Sequence, residues 1–219
     1  MSLIINQSLS MSLLTFHTPD ILEIGVDEAG RGPLFGRVYA GAVIWPQDLP
    51  NTIVKDSKKY SKTSDRELAY EYVIEHAIAY GVAYVEPEEI DSMGIYKAVM
   101  TCMHQAIRNT HINPHQILVD GNNFKPFMDQ FDDYPQFTTV IGGDNKYCSI
   151  AAGSVLAKVE HDRYIKDMCD RYPILDRYDF RNNKGYGAPK HLEAIQKFGI
   201  TQYHRQSFRC CQDMPISHI

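Results

Sequence analysis

No stretch of the 219-residue chain approaches the roughly 18–20 consecutive apolar residues that a membrane-crossing helix needs. The longest uncharged stretch near the start, residues 3–19, is broken by Asn6, Gln7, serines, Thr15, His17 and Thr18. No basic segment precedes an apolar one, so a secretory signal is not expected. Cys102, Cys148, Cys169, Cys210 and Cys211 are odd in number and contain no CxxC spacing, which excludes an even disulfide framework and a thiolate zinc site. The adjacent Cys210 and Cys211 read as a reduced, incidental pair at a mobile end. These absences lead to the expectation of a cytoplasmic, or at least intracellular, protein with no membrane partner. Repeats, low-complexity tracts and linkers are also lacking. What remains, with 44% hydrophobic and 22% charged residues, suffices for one ordinary domain and is too apolar for a disordered chain.

The net charge of −5 at first argues against a nucleic-acid partner. The charge is unevenly spread, however. Residues 151–219 carry 11 Lys and Arg against 8 Asp and Glu, an excess of +3, which leaves −8 on the rest. Phosphate contact requires a local basic surface rather than a basic protein. The acidic excess of the first part is compatible with a cation site.

Residues 1–20 are rich in Ser and Thr and are expected to form a poorly ordered leader, with Met11 an alternative start; residues 21–219 are expected to form a single domain. Residues 21–26 read as a buried strand that stops before Asp27-Glu28-Ala29-Gly30-Arg31-Gly32-Pro33, and residues 38–45 as a second strand. The pattern predicts a helix over 64–80, with Leu68, Tyr72 and Ile78 on one face and Ser64 and Glu67 in capping-box register. Gly81 would end it before a strand at 82–85. A helix over 91–109 follows, with Ile95, Val99, Met103 and Ile107 at four-residue spacing. Strands at 117–119 and 137–141 stop at Asp120-Gly121-Asn122 and Gly142-Gly143-Asp144. Long helices are predicted over 148–168 and 188–198. Short strands alternating with helices imply an α/β domain with a central mixed sheet flanked by helices, extended by a basic, helical C-terminal part over about 160–219.

Carboxylates recur where strands end: Asp27 and Glu28, Asp120, and Asp144. In a sheet-centred fold, strand ends on one edge bring distant residues into one cleft. Crowded carboxylates raise one another's pKa unless a cation neutralises them. Oxygen-only ligands suit Mg²⁺ or Mn²⁺ rather than zinc. Asp-Gly is also an ordinary turn signal. Adjacent acids after an apolar strand improve no turn, so the pattern alone supports a divalent-metal site and stops there.

The segment Gly25-Val26-Asp27-Glu28-Ala29-Gly30-Arg31-Gly32-Pro33-Leu34 resembles the signature of type 2 ribonuclease H, the ribonuclease HII family. Other blocks resemble that family in order: Asp56-Ser57-Lys58-Lys59; Val119-Asp120-Gly121-Asn122; Gly143-Asp144 with residues 149–159; Lys184-Gly185-Tyr186-Gly187 with His191; and His204-Arg205-Gln206-Ser207-Phe208. The resemblance spans about residues 21–209. Departures are Phe35 and Arg37 in place of a small residue and proline, Tyr60 in place of leucine, Gly153 within the Ala-rich run, and Glu160-His161 in place of Thr-Arg before Asp162.

This resemblance implies a ribonuclease H-like fold. Asp27, Glu28, Asp120 and Asp144 would hold two divalent ions, Mn²⁺ or Mg²⁺, that activate water and stabilise an in-line displacement leaving 3′-hydroxyl and 5′-phosphate ends. It implies cleavage of RNA in RNA–DNA hybrids and 5′ of ribonucleotides embedded in duplex DNA, with roles in ribonucleotide and primer removal. Gly30, Arg31 and Gly32 would read the 2′-hydroxyl, and Tyr186 would pack on the neighbouring deoxynucleotide. Ser57, Lys58, Lys59, Lys146, Lys158 and Lys184 are the further substrate contacts expected, and Arg205, Ser207 and Phe208 are expected to be structural. A monomer without obligate protein partners is expected, and residues 212–219 show no clamp-binding motif. The alternative from another class is a non-catalytic hybrid-binding scaffold. Intact carboxylates argue against it, because a binder gains nothing from acids facing phosphates.

Overall fold

A computed structural model describes residues 12–219. One five-stranded sheet organises them: β1 (Glu23–Ala29), β2 (Val38–Ile44), β3 (Ala79–Val85), β4 (Gln116–Asp120) and β5 (Gln136–Val140), in the order β3-β2-β1-β4-β5. The β1–β2 and β2–β3 pairings are antiparallel, whereas β4 pairs parallel to both β1 and β5. The expected mixed sheet is present.

Alternation along β1 sends Ile24 and Val26 to one face and Gly25 and Asp27 to the other. The first face packs on α3 (Ile95–Arg108) through Val99, Cys102, Met103 and Ala106. The second is covered by α1 (Thr63–His76) and the first half of α4 (Cys148–Arg171), through Val73, Ala151, Ala152, Val155 and Leu156. The Gly153 that interrupts the Ala-rich run has a steric reason. Its carbonyl occupies the space a Cβ at Gly41 would need, so two facing glycines let α4 lie directly on β2. The second half of α4 forms a third core with Leu175, Tyr178 and Phe180, joined by α5 (Phe180–Asn183), α6 (Pro189–Phe198) and the short parallel pair β6 (Ile200–Thr201) and β7 (Ile216–Ser217).

Several sequence expectations need correction. Asp27 and Glu28 do not follow β1; they lie within it, paired with Gly41 and Ala40 of β2. The predicted helix over 64–80 ends at His76, because Tyr80 and Gly81 join the ladder with β2. Its N-cap is Lys62 without a side-chain cap, and Leu68 is 66% exposed. Packing against α4 selects Ala69, Tyr70 and Val73 instead. A capping box does occur, at Glu86 and Glu89 of α2 (Pro87–Met93). Gly94, at φ +81°, splits the helix predicted over 91–109 into α2 and α3.

The expected leader lies partly outside the described residues. Of its described part, Leu14 exchanges backbone hydrogen bonds with Lys146 and Cys148, and His17 and Thr18 donate their amides to the buried Glu23 carboxylate. Residues 14–18 are thus fixed to the base of β1 and the start of α4. Cys211 is buried in the third core while Cys210 is exposed, so they are no mobile pair; the five cysteines are free thiols.

Candidate active site

The parallel register of β1 and β4 sets Val26 beside Val119, so the next residues, Asp27 and Asp120, emerge on neighbouring strands. Glu28 follows Asp27. Asp144 arrives on the 3-10 turn Gly143–Asn145 after β5, where Gly142 takes the left-handed conformation and the Gly143 amide donates to Asp120 Oδ1 at 2.7 Å. Three sequence-distant strand ends thereby converge. Asp27 and Asp144 are buried, and Glu28 and Asp120 are half-buried.

Electrostatic strain marks this convergence. Burial first, and then the charges of Glu28 and Asp120, push the Asp27 carboxyl well above the usual carboxylate range. Burial and Asp120 raise Glu28, opposed by Arg31 and Lys58. Burial, Asp56 and Asp120 raise Asp144. Lys58 answers them: burial disfavours its charge, but Asp27, Asp56, Asp144 and Asp120 outweigh that and raise its pKa. Lys58 is therefore a side-chain cation beside the acids. Among the described residues, no group of three or more His, Cys, Asp or Glu side chains is already closed to metal-holding distance. The carboxylates are close enough to oppose one another's ionisation without converging on one point. An all-oxygen, charge-crowded donor set of this kind fits a hard divalent cation.

Beside the acids, Glu28, Arg31, Tyr96, Asp120 and Asn122 line a cleft of about 180 Å³. Arg31 and Gly32 are exposed, and the Arg31 guanidinium lies 3.8 Å from Glu28. A Cβ on Gly32 would stand 3.3 Å from the Tyr186 ring, so the glycine loop and the tyrosine are in contact. Tyr186 is 43% exposed. Lys58, Lys59 and Lys146 are exposed.

Three expected substrate contacts are engaged elsewhere. Ser57 is buried and shares a 2.9 Å hydrogen bond with Ser154 of α4, which holds the Asp56–Lys59 segment against the helix. Lys158 donates to Asp162 at 2.7 Å, and Arg66 meets the same carboxylate at 3.1 Å. The Lys184 ammonium donates to the Arg181 carbonyl at 2.7 Å.

Sequence reasoning missed Asp56 as a member of the acidic cluster. Asp56 Oδ1 caps its own turn by accepting from the Lys58 amide, and its charge acts on both Asp144 and Lys58. It stood inside a recognised block, but nothing in the sequence says that this block folds against Asp144. Arg205, expected to be merely structural, lies directly beneath the glycine loop and donates to its carbonyls.

The departures from the family pattern also have partners. Phe35 packs tilted against Phe180 in the third core, with ring centroids 4.2 Å apart. Arg37 pairs with Glu86 at 2.6 Å and covers the Tyr84 ring. Tyr60 donates its hydroxyl to the Ile53 carbonyl. Glu160 accepts from Tyr70, and His161 lies 3.2 Å from Asp162.

Comparison with known proteins identifies the family and the fold. The sequence pattern described as Ribonuclease HII matches residues 24–211. The chain is 45% identical over 197 residues to ribonuclease HII of Parabacteroides distasonis, covering 90% of this chain and 94% of that protein. It is 44% identical over 196 residues to ribonuclease HII of Phocaeicola vulgatus, covering 90% and 93%. The crystal structure of ribonuclease H2 from Pyrococcus horikoshii superposes with a TM-score of 0.69 at 25% identity, over 86% of this chain and 94% of that one, which establishes the ribonuclease H-like fold. The chain belongs to the ribonuclease HII family and is an endoribonuclease.

Proposed function

We propose that this enzyme cuts the RNA strand of RNA–DNA hybrids and the 5′ side of ribonucleotides embedded in duplex DNA. The carrying observation is the four acids, three of them with raised pKa, gathered beside a glycine loop that touches an exposed tyrosine. Asp27, Glu28, Asp120 and Asp144 would hold two divalent ions, Mg²⁺ or Mn²⁺. Such ions supply a water nucleophile at neutral pH and stabilise attacking and leaving oxygens, which gives 3′-hydroxyl and 5′-phosphate products.

The chain's own groups supply position. The Arg31 and Gly32 amides would approach a sugar closely, because Gly30 and Gly32 carry no side chain to hold it off. The 2′-hydroxyl is the handle that separates RNA from DNA there. Tyr186 offers an aromatic face to the adjacent deoxynucleotide without demanding sequence. Lys58, Lys59 and Lys146 face solvent as candidate phosphate contacts, and Lys58 in addition tempers the acids. We further propose action as a monomer inside the cell, in ribonucleotide and primer removal.

A duplex carrying one ribonucleotide, incubated with the enzyme and Mg²⁺ or Mn²⁺, tests the reading. Cleavage immediately 5′ of the ribonucleotide is the expected result. An intact duplex would overturn the junction reading, and an intact long hybrid as well would overturn the whole proposal.

A further inference from the structure

Arg205 is completely buried, and its guanidinium donates to five backbone carbonyls of one short segment. Nε bonds Gly36 at 2.8 Å; Nη1 bonds Arg31 at 3.1 Å and Pro33 at 2.8 Å; Nη2 bonds Gly30 at 2.6 Å and Arg37 at 3.0 Å. A guanidinium has five N–H donors in a rigid fork, so every one is used, and all on neutral acceptors. Burial lowers its pKa to about 10, which leaves it charged at neutral pH.

The geometry of this grip fixes the outer side of the loop. In a trans peptide the carbonyl of one residue points opposite to the amide of the next. With the Gly30 and Arg31 carbonyls drawn inward to Arg205, the Arg31 and Gly32 amides face outward, and neither has a partner among the described residues.

The preceding residue governs the other reading element. His204 Nδ1 accepts from the Thr201 amide at 2.9 Å, so its proton must reside on Nε2. Nε2 lies 3.1 Å from His191 Nε2, which must therefore accept, leaving His191 Nδ1 to donate to the Tyr186 carbonyl at 2.9 Å. Burial and the neighbouring His191 hold His204 down at about 3, so the pair stays neutral and the relay keeps one direction. The two halves are tied together: the Leu34 amide donates to Gly185, and the Arg205 amide donates to Leu34, each at 2.8 Å.

We infer that Arg205 and the His204–His191 pair are positioning residues, which set the outward amides of Arg31 and Gly32 and the ring of Tyr186 in mutual register. The inference rests on the substrate reading proposed above, and its tests are chosen to fail separately from it. Neither group touches the reacting atoms. Each acts through backbone carbonyls of the elements that do.

Two variant sets test it, with the wild-type enzyme on single-ribonucleotide duplex as reference; failure of the wild type to cut condemns the substrate reading, not this one. Arg205→Lys keeps the charge but offers three donors in place of a five-donor fork. Its kcat on that duplex should fall on the order of a hundredfold, as a misplaced reacting group costs, while affinity for uncut all-DNA duplex changes less than about threefold. Hydrogen exchange over residues 30–37, which needs no substrate, should accelerate. Unchanged kcat with unchanged exchange would overturn the assignment. Should Arg205→Lys not fold, His191 decides: His191→Asn can still donate to the Tyr186 carbonyl, whereas His191→Leu cannot. Asn retaining cleavage that Leu loses, with faster exchange over residues 184–188 in the Leu variant alone, is the expected pattern. Equal behaviour of the two overturns the relay.

Discussion

Two buried polar clusters lie within one molecule and obey opposite rules. Beneath the glycine loop, Arg205, His191 and His204 have every hydrogen-bonding atom matched to a partner. Where β1 and β4 meet the turn after β5, Asp27, Glu28 and Asp144 are raised by burial and by neighbouring negative charge. The first is a satisfied network, and such a network rigidifies what it touches. The second is left in conflict, and folded proteins retain such conflict where a ligand relieves it. Burial alone does not separate structural from functional polar groups. Satisfaction does.

Substitutions should therefore act in opposite senses at the two clusters. The largest effect on activity is expected from Asp27→Asn, which should reduce cleavage to background while raising stability without added metal by about 0.5–2 kcal/mol. For a chain of this size that is roughly 2–4 °C in Tm per kcal/mol, readable by calorimetry. The pH dependence gives the sign. Because the folded pKa of Asp27 exceeds the unfolded one, the folded state binds the proton more tightly there. The contribution of this group is fullest at acid pH and is lost as pH rises from the usual carboxylate range through the raised value. In Asp27→Asn that portion of the fall should vanish. A variant less stable than wild type at neutral pH would contradict the conflict at this cluster.

Arg205→Met should do the reverse, costing on the order of 3–5 kcal/mol in urea unfolding because several buried carbonyls lose their donor at once. A loss below about 1 kcal/mol would show that water or rearrangement can replace the guanidinium. Next in size is the response to divalent ions. Mg²⁺ or Mn²⁺ at a hundred times its Kd should stabilise the wild type by about 2.7 kcal/mol, and Asp27→Asn by much less. Equal stabilisation of both would place the ion elsewhere. The smallest effect belongs to Arg163, whose ion pairs with Glu67, Glu71 and Glu160 are more than a third exposed in the arginine itself. Arg163→Ala should change stability by no more than about 1 kcal/mol, and less at high salt.

Much of the acidic cluster was legible in the sequence. Asp27, Glu28, Asp120 and Asp144 stand beside apolar strand segments, and strand ends on one sheet edge must meet. The Gly30–Gly32 loop and Tyr186 were legible through resemblance, and their contact came from the fold. Element boundaries were less so. Hydrophobic spacing placed Leu68 and Ile78 on a helix face, but pairing with β2 claimed Tyr80 and Gly81 for a strand. Long polar side chains were the least legible: nothing in the spacing shows that Lys158 meets Asp162 or that Lys184 meets the Arg181 carbonyl.

By itself, the sequence determined the sheet-and-helix class, the acidic strand ends and the glycine loop, because these rest on periodicity and on residue types suited to few backbone states. Tertiary structure alone decided that Asp56 joins the acids, that Ser57 turns inward, and that Arg205 reaches back across some 170 residues of chain to the loop at Gly30 and Gly36. A side chain's partner depends on which distant backbone packs beside it, and spacing along the chain carries no record of that.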